Sequence, residues 1–442
     1  MAQEKSLKFS ALDGFFASVM TGFTLNYTIP FALVLGATFF QIGLLTSFPQ
    51  IVGSFIQLKS VDIVEKVKGR VRFITICIML QALSWIAISV LHFIFKKNPM
   101  FIYIVLVTFN TVSGALFVPA WYSLMSDTVD KNSYGKYFAW RGRIMGFINI
   151  GNSLLAGFFL YAMTKNIYLA FFVLFAIAGV CRFISGYFVS KMDDIPPVIV
   201  PEKAFNYWDF LKRFPKGNFI RFTFFVSGIN FATYIASPFF TVYMFKELHF
   251  TYAVYTLIVT LSTLIGLLIV PSWGKLADKV GNVKILQICA VFLPVIPVLW
   301  CFSGNPYYLF IVNIFAVHLL NGFNLSTFNF IFDAASPAVR TRCIGYFSFT
   351  NGLLIGLACL LGGFIVIYVP AFMNASKILN VFYISSLLGA IVNIFGINSL
   401  KEVRHSNKIE DSKLILTVFG ITPVLELSNE ILGLRFHRLK EK

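Results

Sequence analysis

The chain has 442 residues, 58% of them hydrophobic and only 12% charged, with a mean hydropathy of +0.79. A water-soluble domain of that composition would expose too much apolar surface to stay dispersed, so the natural solvent is a bilayer. The net charge of +17 raises nucleic acid as a partner, yet only Lys96, Lys97, Lys165, Lys246 and Lys377 of the 36 basic residues fall in loops on one side. This asymmetry is the positive-inside pattern of a membrane protein and argues against nucleic-acid binding.

Each membrane crossing needs about 20 mostly apolar residues. The chain supplies twelve such stretches, at roughly 9–35, 40–60, 71–95, 99–126, 137–162, 167–190, 218–245, 250–273, 283–303, 306–333, 343–369 and 378–399. The expected fold class is therefore an all-α membrane protein of about twelve transmembrane helices. The first stretch follows a short polar N-terminus without signal-peptide character, so no cleaved segment is expected. It carries Asp13, Thr21, Thr24, Tyr27 and Thr28 within about 120° on helical projection. Asp13 lies about a turn inside its charged end, where a salt-bridged end residue and a coupling carboxylate are both open readings.

The fifth stretch gathers Asn149, Asn152 and Ser153 within about 100°, and the sixth contains Arg182, close enough to the charged end to snorkel. A polar, proline-rich segment then separates six stretches from six. This divides the chain into an N-terminal bundle at 1–191, a linker at 192–217, a C-terminal bundle at 218–400 and a tail at 401–442. The seventh stretch has the sharpest polar stripe, with Thr223, Ser227, Asn230, Tyr234, Ser237 and Thr241 within about 80°. In the tenth, His318 sits near the middle and forms a polar arc with Asn321 and Asn324. Polar groups at that depth mark a solute pathway or bind helices to one another. The tail is broken by Pro423, Glu426 and Glu430 and is expected along the membrane interface rather than across it.

The halves echo one another. Gly53 precedes Glu65-Lys66-Val67 by twelve positions, and Gly266 precedes Asp278-Lys279-Val280 by the same twelve. Asp127 closes the fourth stretch ahead of Gly135-Lys136-Tyr137-Phe138, as Asp333 closes the tenth ahead of Gly345-Tyr346-Phe347. Repeats of this kind mark transporters whose site lies between two related bundles.

The run Gly274-Lys275-Leu276-Ala277-Asp278-Lys279-Val280-Gly281-Asn282-Val283-Lys284 resembles the loop signature of the major facilitator superfamily, G-x-L-A-D-[RK]-x-G-x-x-[RK]. Its first-half copy around Glu65 is degenerate: Val61 replaces the first Gly and one residue is inserted before Gly69. Asp333 to Arg340 resembles the acidic-Pro-Arg connection that often follows the tenth helix of the superfamily. The resemblance implies two pseudo-symmetric six-helix bundles, a pathway lined by the first, fourth, seventh and tenth helices, and secondary transport by alternating access. It implies Glu65, Gly274, Asp278, Lys279, Gly281, Asp333 and Arg340 as gate residues, with the fifth helix near Arg141 and Arg143 as the partner of Asp278.

Tyr27, Asn149, Asn152, Ser227, Asn230, Tyr234, His318, Asn321 and Asn324 are the substrate-site candidates, and Asp13 and His318 the coupling candidates. Hydroxyls and amides that donate and accept suit a small polar solute, with or without a coupling ion. The fifth stretch has no proline and the fourth no arginine, which argues against drug export. A lipid flippase, a non-transporting sensor and a membrane-embedded transferase are the alternatives. No nucleotide loop, metal spacing or nucleophile motif points to an enzyme, and no cofactor is expected. An inner- or plasma-membrane monomer with both termini in the cytoplasm, surrounded by lipid, completes the reading.

Overall fold

A computed structural model describes residues 2–66, 69–130, 133–194, 206–212, 217–335, 339–371 and 376–403. Among these residues the structure is helical, without a strand, and twelve spans are long and apolar enough to cross a membrane. In chain order they are span one, Glu4–Val34; two, Phe39–Leu58; three, Arg70–Ile94; four, Pro99–Thr128; five, Lys136–Ala162; and six, Thr164–Ser190. Span seven is Asn218–Lys246; eight, Tyr252–Val280; nine, Asn282–Leu299; ten, Pro306–Ala334; eleven, Arg342–Tyr368; and twelve, Lys377–Ser399. Lipid offers backbone amides no acceptor, so apolar runs of this length close their hydrogen bonds within a helix.

The sequence limits match within a few residues except at two places. The first helix starts at Ala2, and span eight runs on to Val280. The Gly274-to-Lys279 segment is thus the last part of a helix, and the reversal is confined to Gly281, at φ 88°. That left-handed conformation is open to glycine at little cost.

Three spans are interrupted. Span one breaks at residues 25–27, between helices Ala2–Thr24 and Thr28–Val34. Span nine breaks at Leu293-Pro294, where proline has no amide to donate. Span eight contains one π-helical turn, Leu257–Leu261, between α-helical segments.

Spans one with five and six, two with four, and three with four and six pack together in the first half. Seven with eleven and twelve, eight with ten, and nine with ten and twelve pack in the second. Adding six to each number of the first set gives the second, so the sequence echo is a structural repeat. The two acids of the echo do the same work in each half. Asp127 pairs with buried Arg70 at 2.8 Å, and Asp333 accepts a 2.8 Å hydrogen bond from Asn282, each tying the end of one span to the start of another.

Both described chain ends lie at one end of the bundle, called here the terminal end; the other is the far end. The largest apolar core runs through both halves and includes Tyr27, Phe31, Phe171 and Phe239. At the terminal end the first half has a separate core around Ile74, Trp121 and Val189. A short linker helix, Tyr207–Lys212, packs Tyr207 and Phe210 against Tyr346 of span eleven, beside Leu58 of span two.

Candidate functional site

The halves meet along two seams, two against eleven and five against eight, which exchange under the repeat. Span two packs on span eleven from end to end. Phe40 meets Phe364 at the far end, and Phe55 meets Phe349 toward the terminal end, with ring centroids 5.1 and 5.2 Å apart. Between them, glycines bring the backbones together: a Cβ on Gly43 would lie 3.0 Å from the Cys359 carbonyl oxygen, and one on Gly356 3.0 Å from that of Ser47. Small residues allow such approach in lipid, where packing replaces the hydrophobic drive.

Spans five and eight close at the far end and part toward the terminal end. Gly157 leaves no room for a Cβ beside Thr256, and a Cβ on Gly146 would come within 3.1 Å of Leu267. One and two turns further on, Gly142 and Gly274 meet nothing within 4 Å. On this side the seam is packed at the far end and has open space at Gly142 and Gly274 toward the terminal end.

A hydroxyl and amide clasp holds the far end. The Tyr27 hydroxyl donates to the Ser153 carbonyl and lies 3.0 Å from the Thr256 hydroxyl. The hydroxyls of Ser153 and Thr260 are 3.1 Å apart, Asn26 donates to Ser153 at 3.1 Å, and Tyr255 donates to the Asn26 carbonyl at 2.7 Å. Thr256 immediately precedes the π-helical turn and Thr260 lies within it, so the extra residue of the turn sets the rotation of one relative to the other. Such turns often accompany functional positions. Sequence reasoning singled out Tyr27 but missed Tyr255, Thr256, Thr260 and the turn, for which no local residue pattern is diagnostic.

The other expected substrate residues divide. Asn324 is exposed, as are Phe328, Val118 and Tyr122. The register that matches Asp127 with Asp333 matches Val118 with Asn324 and Tyr122 with Phe328. Span four packs on spans two and three, with Arg141 over Trp121, and span ten on eight and nine, with Phe222 on Phe330. The exposed groups matched by the repeat are aromatic and aliphatic, with one amide.

Asn230 donates to Asn351 of span eleven at 2.8 Å, inside its own half, and buried Ser227 lies on the same span. Tyr234 is partly buried, and its carbonyl accepts from the Cys359 thiol. Asn152 donates to its own helix at Ile148, while Gly22 of span one packs on the backbone of Asn149 and on Asn152. The His318 ring is buried on Trp273 of span eight, centroids 4.7 Å apart, and Trp273 donates to the His318 carbonyl. Asn321 lies nearby, against Gly266.

Asp13 is held by Ser185 at 2.7 Å and Arg141 at 3.3 Å. Arg182 does not snorkel. It is 4% exposed, with Nε and Nη2 donating to Gln81 at 3.0 and 2.7 Å and Nη1 to Ser185. Gln81 is fixed in turn by Asn110 of span four. A guanidinium that far inside the span gains more from these oxygens than from reaching for water.

Of the expected gate residues, Asp278 and Lys279 are exposed and Gly274 borders the open gap. Gly281 lies against Glu402, which accepts from the Val283 amide at 2.8 Å at the start of span nine. Asp333 serves the clamp to Asn282, and Arg340 donates back to the carbonyls of Ala335 and Phe332. The side chain of Glu65 lies outside the described residues, as does the tail beyond 403. Arg141, the implied partner of Asp278, is engaged by Asp13 and the Ser10 carbonyl in its own half.

No curated protein matches the chain. Residues 220–431 match the model of the Major Facilitator Superfamily. Among solved structures, the nucleoside transporter NupG is similar at a TM-score of 0.66 and 16% identity, over 90% of this chain and 99% of that one. A D-xylose-proton symporter is similar at 0.67 and 12%, over 92% and 99%. A bacterial homologue of the iron transporter ferroportin, in an inward-facing state, is similar at 0.63 and 14%, over 90% and 98%. At these identities the likeness establishes the fold. Residues 220–431 thus match the Major Facilitator Superfamily in sequence, and 90% of the chain shares the fold of these transporters.

Proposed function

We propose that this integral membrane protein is a secondary transporter that moves its substrate by alternating access, and not an enzyme. The observation that carries the reading is the clasp: two repeated halves are joined at the far end by Tyr27, Ser153, Thr256 and Thr260 while spans five and eight stand apart at the terminal end. Contacts between uncharged hydroxyls are each worth about 1 kcal/mol or less. A few of them hold one state without trapping it, as reversible switching requires.

The distribution of basic residues in the sequence supports a cytoplasmic terminal end. The described conformer is then open inward. Gly274 and Asp278 lie on the seam face of span eight and, with Lys279 at its edge, form the inner gate when the gap closes. Asn324 supplies a polar contact in the cleft. Asp13 is the coupling candidate, because protonation would loosen its hold on Arg141 and so free span five from span one.

The clasp gives the test. In a background lacking the native cysteines, Ser153→Cys with Thr260→Cys is oxidised in proteoliposomes. The cross-linked protein is expected to lose transport and regain it on reduction. Undiminished transport by the oxidised pair contradicts the reading.

A further inference from the structure

The repeat makes the two seams equivalent, yet only one is open. Span two stays on span eleven along its whole length, and the linker helix straps that side through Tyr207 and its 2.9 Å contact with Thr350. On spans five and eight, by contrast, a Cβ at Gly142 or Gly274 would meet nothing within 4 Å. A cleft hinged on one side opens on the other, so its opening is directed into the plane of the membrane as well as toward the terminal end.

The edges of that opening have a definite chemistry. On span five, Gly142, Gly146, Ser153 and Gly157 lie within about 60° and form the seam face, while Arg141 turns to span one. The flank away from span one carries exposed Lys136, Trp140, Arg143 and Phe147, and the matching flank of span eight carries exposed Lys275 and Lys279. Cations and an indole at the membrane boundary, with phenyl groups deeper, match a molecule with an anionic head and an apolar body. On spans four and ten, exposed Val118, Tyr122 and Phe328 add apolar surface, with Asn324 one turn before Phe328.

We propose that the cleft fills sideways from the leaflet at the terminal end, through the gap between spans five and eight, and that the substrate is a membrane-soluble amphiphile with an anionic headgroup. This rests on the transport reading above and gives it a lipid-like substrate in place of the small polar solute expected from the sequence.

The test uses purified protein in phosphatidylcholine vesicles with a trace of lysophosphatidic acid bearing a fluorescent tail. Transfer between leaflets is read by quenching with an impermeant reductant. Gly142→Phe with Gly274→Phe fills the gap, and the open space at both positions lets the variant fold, which thermal unfolding checks. Transfer is expected to slow about tenfold, the effect of raising a barrier by 1.36 kcal/mol. Arg143→Gln with Lys275→Gln is expected to erase the preference for this probe over its choline-headed analogue.

Wild-type transfer by the gap-filled protein overturns the proposal, as does uptake of a pentose or nucleoside with the lipid probe moving at the protein-free rate. The cysteine lock separates the failures. If the lock stops pentose uptake and the phenylalanines do not, lateral loading falls and transport stands. If the lock changes no flux, the transport reading itself falls.

Discussion

Arg70 and Asn282 occupy equivalent places at the start of a span and face the two acids of the repeat, yet one is a cation and the other an amide. The Arg70 side chain is 1% exposed and Asp127 is its 2.8 Å partner. Asp127→Ala leaves a buried guanidinium without its carboxylate and should cost about 3 kcal/mol. The Asn282 hydrogen bond that Asp333→Ala removes has a neutral donor and is worth about 1 kcal/mol, so the smaller loss is expected there. Thermal unfolding in detergent reads the difference; equal losses, or the larger loss at Asp333, contradict this assignment. The two acids were legible from sequence because they recur in register, and their unequal partners follow only from the packing. The same limit holds at His318 and Arg182. Helical projection tells which residues share a face, but it does not tell that the face of His318 meets Trp273, 45 residues earlier, or that Arg182 reaches Gln81 on span three.

Elements were the most legible level, since twelve apolar runs have no folding choice in lipid but helix. What sequence did not disclose is how they are interrupted and how closely they meet. The π-helical turn Leu257–Leu261 is built from ordinary apolar residues. Deleting one residue within it would return the segment to α-helix and rotate Thr256 by about 100° from Tyr27 and Ser153. The deletion should weaken far-end closure, seen as faster labelling by an impermeant thiol reagent of a cysteine at Ser153; unchanged labelling would show that the turn does not set the clasp. The glycines of span eleven make a second element-level case. Gly356→Leu drives a side chain into the Ser47 carbonyl and Ile51 and should destabilise by about 2 kcal/mol. Gly274→Leu enters open space and should leave unfolding unchanged in this conformer. A comparable loss of stability at both positions would mean that the two seams are equally closed.

The whole molecule is two copies of one packing pattern joined by two seams, one continuous and one half open. The charge asymmetry of the loops and the repeat of Asp127 and Asp333 announced two related bundles in a membrane. The inequality of the seams was not foreseeable, because it depends on which glycines face a neighbour, and Gly142 and Gly146 look alike in sequence. Their different surroundings give alternating access its most direct test. Spin labels at Lys136 and Lys279 report the terminal end, and labels at Lys165 and Lys246 report the far end, in lipid nanodiscs by pulsed electron resonance. The expected result is two populations that exchange reciprocally when transport substrate or pH is varied, the terminal distance shortening as the far one lengthens. A single distance at each end under every condition, or two distances that lengthen and shorten together, would contradict a transporter that opens to one side at a time.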